Sequence, residues 1–129
     1  ATASPAYMQR WFPDGVTPAT LALAPALTFN QKDRLQQDWA RQAFGEQIAF
    51  PTHWLPSTQG FLDASIAGLG WALNPVQLVG DHLAAGRLVA LVPEVTLDRP
   101  LFWQMNRLAA GQLSDLTQAI TQTARGALN

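Results

Sequence analysis

Along the chain, apolar residues switch between two spacings. Short runs of strand type alternate with stretches whose apolar positions recur about every 3.6 residues. Ala26–Asn30 is a short apolar run with strand character. From Asp33 to about Phe44, Leu35, Trp39 and Ala43 fall at i, i+4 and i+8, which predicts a helix with one buried face. Gly45 stands where such a helix ends. Ile48 to Leu55 reads as a strand, and Pro51 within it points to an edge position or a late start. Ser57 or Thr58 then caps a helix to about Ala67, with Phe61 and Ser65 on one stripe and Leu62 and Ile66 on its neighbour. Gly70–Asn74 is a short strand, Pro75 opens a helix to about Ala85, and Arg87–Val92 is a strand closed by Pro93. Leu101–Met105 reads as a further strand. Gln112–Leu128 reads as a terminal helix with Leu113, Leu116, Ile120 and Ala124 on one side. Nearer the start, Ser4-Pro5 and Thr17-Pro18 each place a capping residue before a proline at the first helical position. They predict two short helices, the first broken by Pro13-Asp14-Gly15. Strands alternating with helices predict an α/β fold, a sheet with crossover helices.

Composition narrows the function classes. The chain has 129 residues, of which 48% are hydrophobic, enough for one domain with one core. No apolar run reaches the ~18 residues of a membrane span, so no membrane partner is expected. The formal net charge is −1, and the one Lys and seven Arg are scattered. Without a basic stripe, this chain by itself is not expected to hold a phosphate backbone. There is no cysteine, and His53 and His82 lack further ligands at metal-binding spacing, so no metal or other cofactor is expected. No Gly-x-Ser-x-Gly, Ser–His–Asp spacing or glycine-rich phosphate loop points to an enzyme. Residues 1–6 lack the charged start and apolar stretch of a signal peptide.

The candidate chemistry gathers at two strand-to-helix turns. Ser57 and Thr58 sit where a helix begins, with free backbone N–H groups and two hydroxyls. The simple reading is N-capping. The functional reading is a grip for a carboxylate, helped by the helix dipole, with Gln59 adding an amide. Asn30 lies at a strand's carboxyl end, where ligands sit in open α/β sheets. Asp33 follows in the first turn of the next helix. It is either a dipole-complementing cap or the carboxylate for an ammonium or guanidinium group. Asp63 is a weaker candidate for the same role. Among the aromatic residues, Trp54 and Phe61 are close enough to the Ser57 turn to stack on a cationic side chain. The other tryptophans are expected in the core.

The order strand, Pro56-Ser57-Thr58, helix, Ala67-Gly68-Leu69-Gly70, strand, Asn74-Pro75, helix, Gly86-Arg87-Leu88 resembles the effector-binding domain of LysR-type transcriptional regulators. Ser4 to Val16 and Thr28 to Gln37 are similar to the arginine/lysine-export branch of ArgP- and LysG-like regulators. The resemblance implies a Rossmann-like lobe of the type II periplasmic-binding-protein fold, with a mixed, mostly parallel sheet flanked by helices. It implies that 4–97 form the second effector-binding subdomain. Residues 98–129 would be a strand and helix returning to a first subdomain that is largely missing. It further implies a cytoplasmic sensor of a basic amino acid, controlling an exporter gene. Its effector would be bound by Ser57, Thr58, Gln59, Asn30 and Asp33. DNA would be met only through an absent helix-turn-helix domain, and the parent would be a homo-oligomer. Two rival readings stay open: a lobe of an extracytoplasmic amino-acid-binding protein, and a small hydrolase or transferase on an α/β scaffold.

Overall fold

In a computed structural model of the chain, residues 1–109 and 111–128 are described. They form two compact units, Ala1–Leu97 and Asp98–Asn129. In the first, short extended segments lie side by side. β1 (Thr2–Ala3) bridges antiparallel to Ala72 through Thr2. β2 (Ala26–Thr28) pairs in parallel with β3 (Thr52–Trp54), Leu27 standing opposite His53. On its other edge Ala26 bridges in parallel to Trp71. β4 (Val89–Ala90) pairs antiparallel with β1. The spatial order is therefore β3, β2, Trp71–Ala72, β1, β4, a mixed sheet in which only β1 runs against the rest.

Local signals start the helices. Ser4 caps α1 (Pro5–Trp11), its hydroxyl accepting from Tyr7 N at 3.3 Å. Thr17 and Thr20 cap α2 (Pro18–Leu21) reciprocally. α3 (Leu35–Phe44) ends at Gly45, whose φ of 77° is left-handed backbone that glycine adopts without a Cβ penalty. α4 (Thr58–Ile66) and α5 (Val76–Ala84) follow the two strand ends β3 and Trp71–Ala72.

The strands are shorter than the sequence predicts. Gly70–Asn74 contributes only the bridges at Trp71 and Ala72, and Arg87–Val92 only Val89 and Ala90. β1 is too short for any periodicity to announce it. Leu101–Met105 is not a strand. An extended segment becomes a strand only by pairing, and the described residues give it no paired neighbour. The second unit instead holds one 3-10 turn, Arg107–Ala109, and α6 (Ser114–Ala127). There Trp103 Nε1 donates to Thr117 Oγ1 at 3.3 Å. No residue of α6 is buried.

The core of the first unit centres on two fully buried tryptophans, Trp39 of α3 and Trp71, with ring centroids 5.3 Å apart. Phe50 meets Trp71 edge-on at 5.1 Å. Trp39 Nε1 donates to Val95 O at 3.1 Å and Gln42 Nε2 to Thr96 O at 2.8 Å, which straps the end of this unit across α3. The Tyr7 hydroxyl donates to Pro25 O at 2.6 Å, and burial raises its pKa above the ordinary phenol value. On α4, Phe61 and Ala64 pack with Leu27 and Ala72, while Leu62 packs with Val79 and Leu88.

Gly70 sets how closely Trp71 approaches β2. A Cβ there would lie 2.9 Å from Leu27 Cγ and Cδ2 and 3.0 Å from the Pro25 carbonyl oxygen. Gly70→Ala is therefore expected to cost about 1–3 kcal/mol of stability, as overpacking does. Urea denaturation checks it, and a midpoint equal to that of the unaltered protein would show that the two segments separate freely.

Candidate functional site

Three neighbouring strands end on the same side of the sheet. β2 runs into the 29–34 turn, β3 into Ser57 and Thr58, and Trp71–Ala72 into Leu73–Pro75. The chain passes from β2 to β3 on one side, then crosses through α4 to Trp71 on the other. Such a change of direction opens a crevice at the carboxyl ends of the strands.

Here the crevice has a specific cause. Leu27 N donates to Trp71 O at 2.8 Å. In a regular parallel ladder Leu27 O would next accept from Leu73 N. Instead it accepts from Gln36 Nε2 at 2.7 Å. Gln36 is fully buried on α3, and its amide takes the place of the strand. Beyond this point the segments part, and a cleft of about 490 Å³ opens between the turns.

Thr58, Asn30, Asp33 and Phe61 all line the cleft. The 29–34 turn is held by its own side chains. Asn30 Oδ1 accepts from Lys32 N at 2.8 Å. Asp33 Oδ2 accepts from Phe29 N and its Oδ1 from Leu35 N, both at 3.0 Å. The Asp33 carboxylate thus closes the turn that leads into α3, whose N-cap position is Arg34. Phe61 is 7% exposed and supplies an apolar wall.

Ser57, Gln59 and Trp54 do not line the cleft. Ser57 Oγ accepts from Gly60 N at 3.1 Å and is the N-cap of α4. Gln59 Nε2 donates to Asp63 Oδ1 at 3.1 Å, one turn along an exposed face. Trp54 is 59% exposed on β3. The backbone N–H groups of Thr58 and Gln59 have no acceptor among the described residues, as the first turn of a helix leaves them.

Sequence reasoning missed Lys32, Asn74 and the apolar residues Phe29, Leu35, Leu73 and Pro75, which complete the lining. Among the lining residues Asn74 stands apart. Its Nδ2 is buried and has no hydrogen-bond partner among the described residues. The sequence held a hint, since Asn74 ends a strand and precedes a helix just as the 29–34 turn does. Among the described residues no group of three or more His, Asp or Glu side chains could hold a metal ion. The cleft's lining combines apolar side chains with a few polar ones, the composition of a small-molecule site.

A model of the LysR substrate binding domain matches residues 1–128. HTH-type transcriptional regulator LysG of Mycobacterium bovis is 40% identical over 124 residues, covering 96% of this chain and 41% of that protein. The chain thus spans about two fifths of that relative's length. The solved structure of the C-terminal domains of a LysR family protein from Agrobacterium tumefaciens is 66% identical, with a TM-score of 0.96 over 99% of this chain and 62% of that one. Full-length LysG from Corynebacterium glutamicum with bound effector Arg is 32% identical, with a TM-score of 0.77 over 98% of this chain and 42% of that one. The fold is accordingly α/β of the type II periplasmic-binding-protein kind.

Two substitutions separate the cap from the turn. Ser57→Ala is expected to destabilise by about 1 kcal/mol through the lost cap, read as a lower denaturation midpoint. Asp33→Ala is expected to speed hydrogen exchange at the Phe29 and Leu35 amides and to cost about 1–2 kcal/mol. Unchanged exchange at those two amides would show that the carboxylate does not hold the turn.

Proposed function

The chain belongs to the family of LysR substrate-binding domains, and we propose that it is the effector-sensing domain of a bacterial LysR-type DNA-binding transcription regulator. It responds to a basic amino acid, arginine or lysine, and controls an amino-acid exporter gene. The observation that carries this reading is the cleft at the strand ends, in a lobe whose fold is shared with a LysG that has arginine bound. A cavity of about 490 Å³ is within the usual range for small-molecule sites. Relatives that are transcriptional regulators favour this over an extracytoplasmic solute-binding lobe. The role is sensing, not catalysis, and the cell compartment is the cytoplasm.

In this reading Ala1–Leu97 is the second effector subdomain, and Asp98–Asn129 belongs with a first subdomain encoded elsewhere in the complete gene product. The exposure of Leu116 and the absence of any buried residue on α6 support that assignment. DNA is met only through a helix-turn-helix domain outside this chain, and the complete regulator is a homo-oligomer. The effector acts by binding one arrangement of subdomains better than the other. Without that differential affinity it would shift nothing.

Calorimetric titration of the complete gene product tests the reading. L-arginine or L-lysine is expected to bind, and Thr58→Ala to weaken binding by about 1–2 kcal/mol. Failure of both amino acids to bind would remove the basic-amino-acid assignment. An unaltered affinity in Thr58→Ala would move the effector away from the start of α4.

A further inference from the structure

The hydrogen-bonding capacity left over in the cleft is unequal. Its one carboxylate, Asp33, already accepts a backbone N–H on each oxygen, and Asn30 Oδ1 accepts from Lys32 N. The donors are unspent. Asn74 Nδ2 is buried without a partner among the described residues, and Lys32 and Thr58 line the same cleft. A buried donor with nothing to bond is rare in a folded protein and is costly to keep. An oxygen-bearing ligand group seated beside it removes that cost. Lys32 in the same cleft offers an ammonium for an anionic group and offsets the charge of Asp33.

We propose that this lobe takes the carboxylate of the effector, with Asn74 and Lys32 as the residues that recognise it beside Thr58, and that it leaves the cationic end to be met from the open side of the cleft. The proposal rests on the basic-amino-acid reading above and assigns a polarity to it. Asp33 then positions the turn that carries Lys32 and does not itself receive the guanidinium. Asn74 ranks first of the two, because its amide nitrogen is shielded from water. Lys32 is exposed, so its charge is partly screened.

The test uses the complete gene product and three ligands. L-arginine has both ends, agmatine has the same cationic end and no carboxylate, and norleucine keeps the carboxylate with an apolar side chain. Arginine is expected to bind at least about tenfold more tightly than agmatine, the scale of a hydrogen bond to a charged group. Asn74→Ala should lower arginine affinity by about tenfold and leave agmatine unchanged. Asn74→Asp should lower it further by placing a second anion against the first. Lys32→Met should lose a few-fold at low salt, and Lys32→Arg should recover it. Thermal melts followed by circular dichroism confirm that each variant is folded, and Lys32, on an exposed turn, gives a reading even if an Asn74 variant does not fold. Tighter arginine binding in Asn74→Asp would overturn the proposal, because it would mean that a cation sits there. So would arginine affinity unchanged in folded Asn74 and Lys32 variants. Norleucine binding that depends on Asn74, in a protein that ignores arginine, would uphold the carboxylate grip and remove the basic-amino-acid reading. If no ligand carrying a carboxylate binds, both fall.

Discussion

One buried amide decides where the sheet stops and the cleft begins. Gln36 Nε2 occupies the Leu27 carbonyl that the next strand residue would otherwise use. A wholly buried glutamine is expensive unless bonded, and only its nitrogen is satisfied, since Oε1 has no partner among the described residues. The arrangement persists because Gln36 is not alone on its face. Trp39 and Ala40 are buried on the same side of α3, and Trp39 packs against Trp71, the residue at which the two segments are still joined. One helix face therefore does two things. Its tryptophan binds the strands together, and one turn earlier its glutamine holds them apart. Gly70 completes the geometry by letting Trp71 sit close to Leu27 just before the separation.

Legibility followed the range of the interactions. Caps are local, so Ser4, Thr17 and Ser57 were readable as helix starts from their neighbours alone. Strand extent is not local. Gly70–Asn74 and Arg87–Val92 have the residues of longer strands, yet only two of each pair, because pairing depends on partners far along the chain. Leu101–Met105 shows the same limit: β-favouring residues do not make a strand where the described residues offer no edge. The α/β class survived these errors because it rests on the alternation of elements and not on their lengths.

The site was half legible for a related reason. Of the residues expected there, Thr58, Asn30, Asp33 and Phe61 line the cleft, since strand-to-helix turns are recognisable and such turns line crevices. Which member of a turn faces the crevice was not readable. Ser57 and Thr58 are adjacent and chemically alike, but the cap geometry commits Ser57 to Gly60 N and leaves Thr58 to the cleft. Gln59 turns to Asp63, one helical turn on. Asp33 was read as cap or ligand; its carboxylate bonds Phe29 N and Leu35 N while Arg34 holds the N-cap position of α3. Asn74 escaped notice because an asparagine before a proline is an ordinary turn signal. What sets it apart is a buried amide nitrogen without a partner among the described residues on a residue that lines the cleft.

The cleft's turns are ordered by the chain itself. Asn30 and Asp33 bond backbone N–H groups of their own loop, and Ser57 bonds its own helix, so the walls stand without a ligand. Walls already in place reduce the ordering cost of binding. They also limit what one lobe can signal. Under the function proposed above, a half-site of this kind would recognise one end of a zwitterion and gain little from the other. On that proposal, discrimination by side-chain charge would come from a second surface over the open side. Only a ligand long enough and correctly charged to engage both surfaces would bind the closed arrangement better than the open one. That difference in affinity, and not tight binding to this lobe, is what the proposed effector-sensing domain would convert into a change of state.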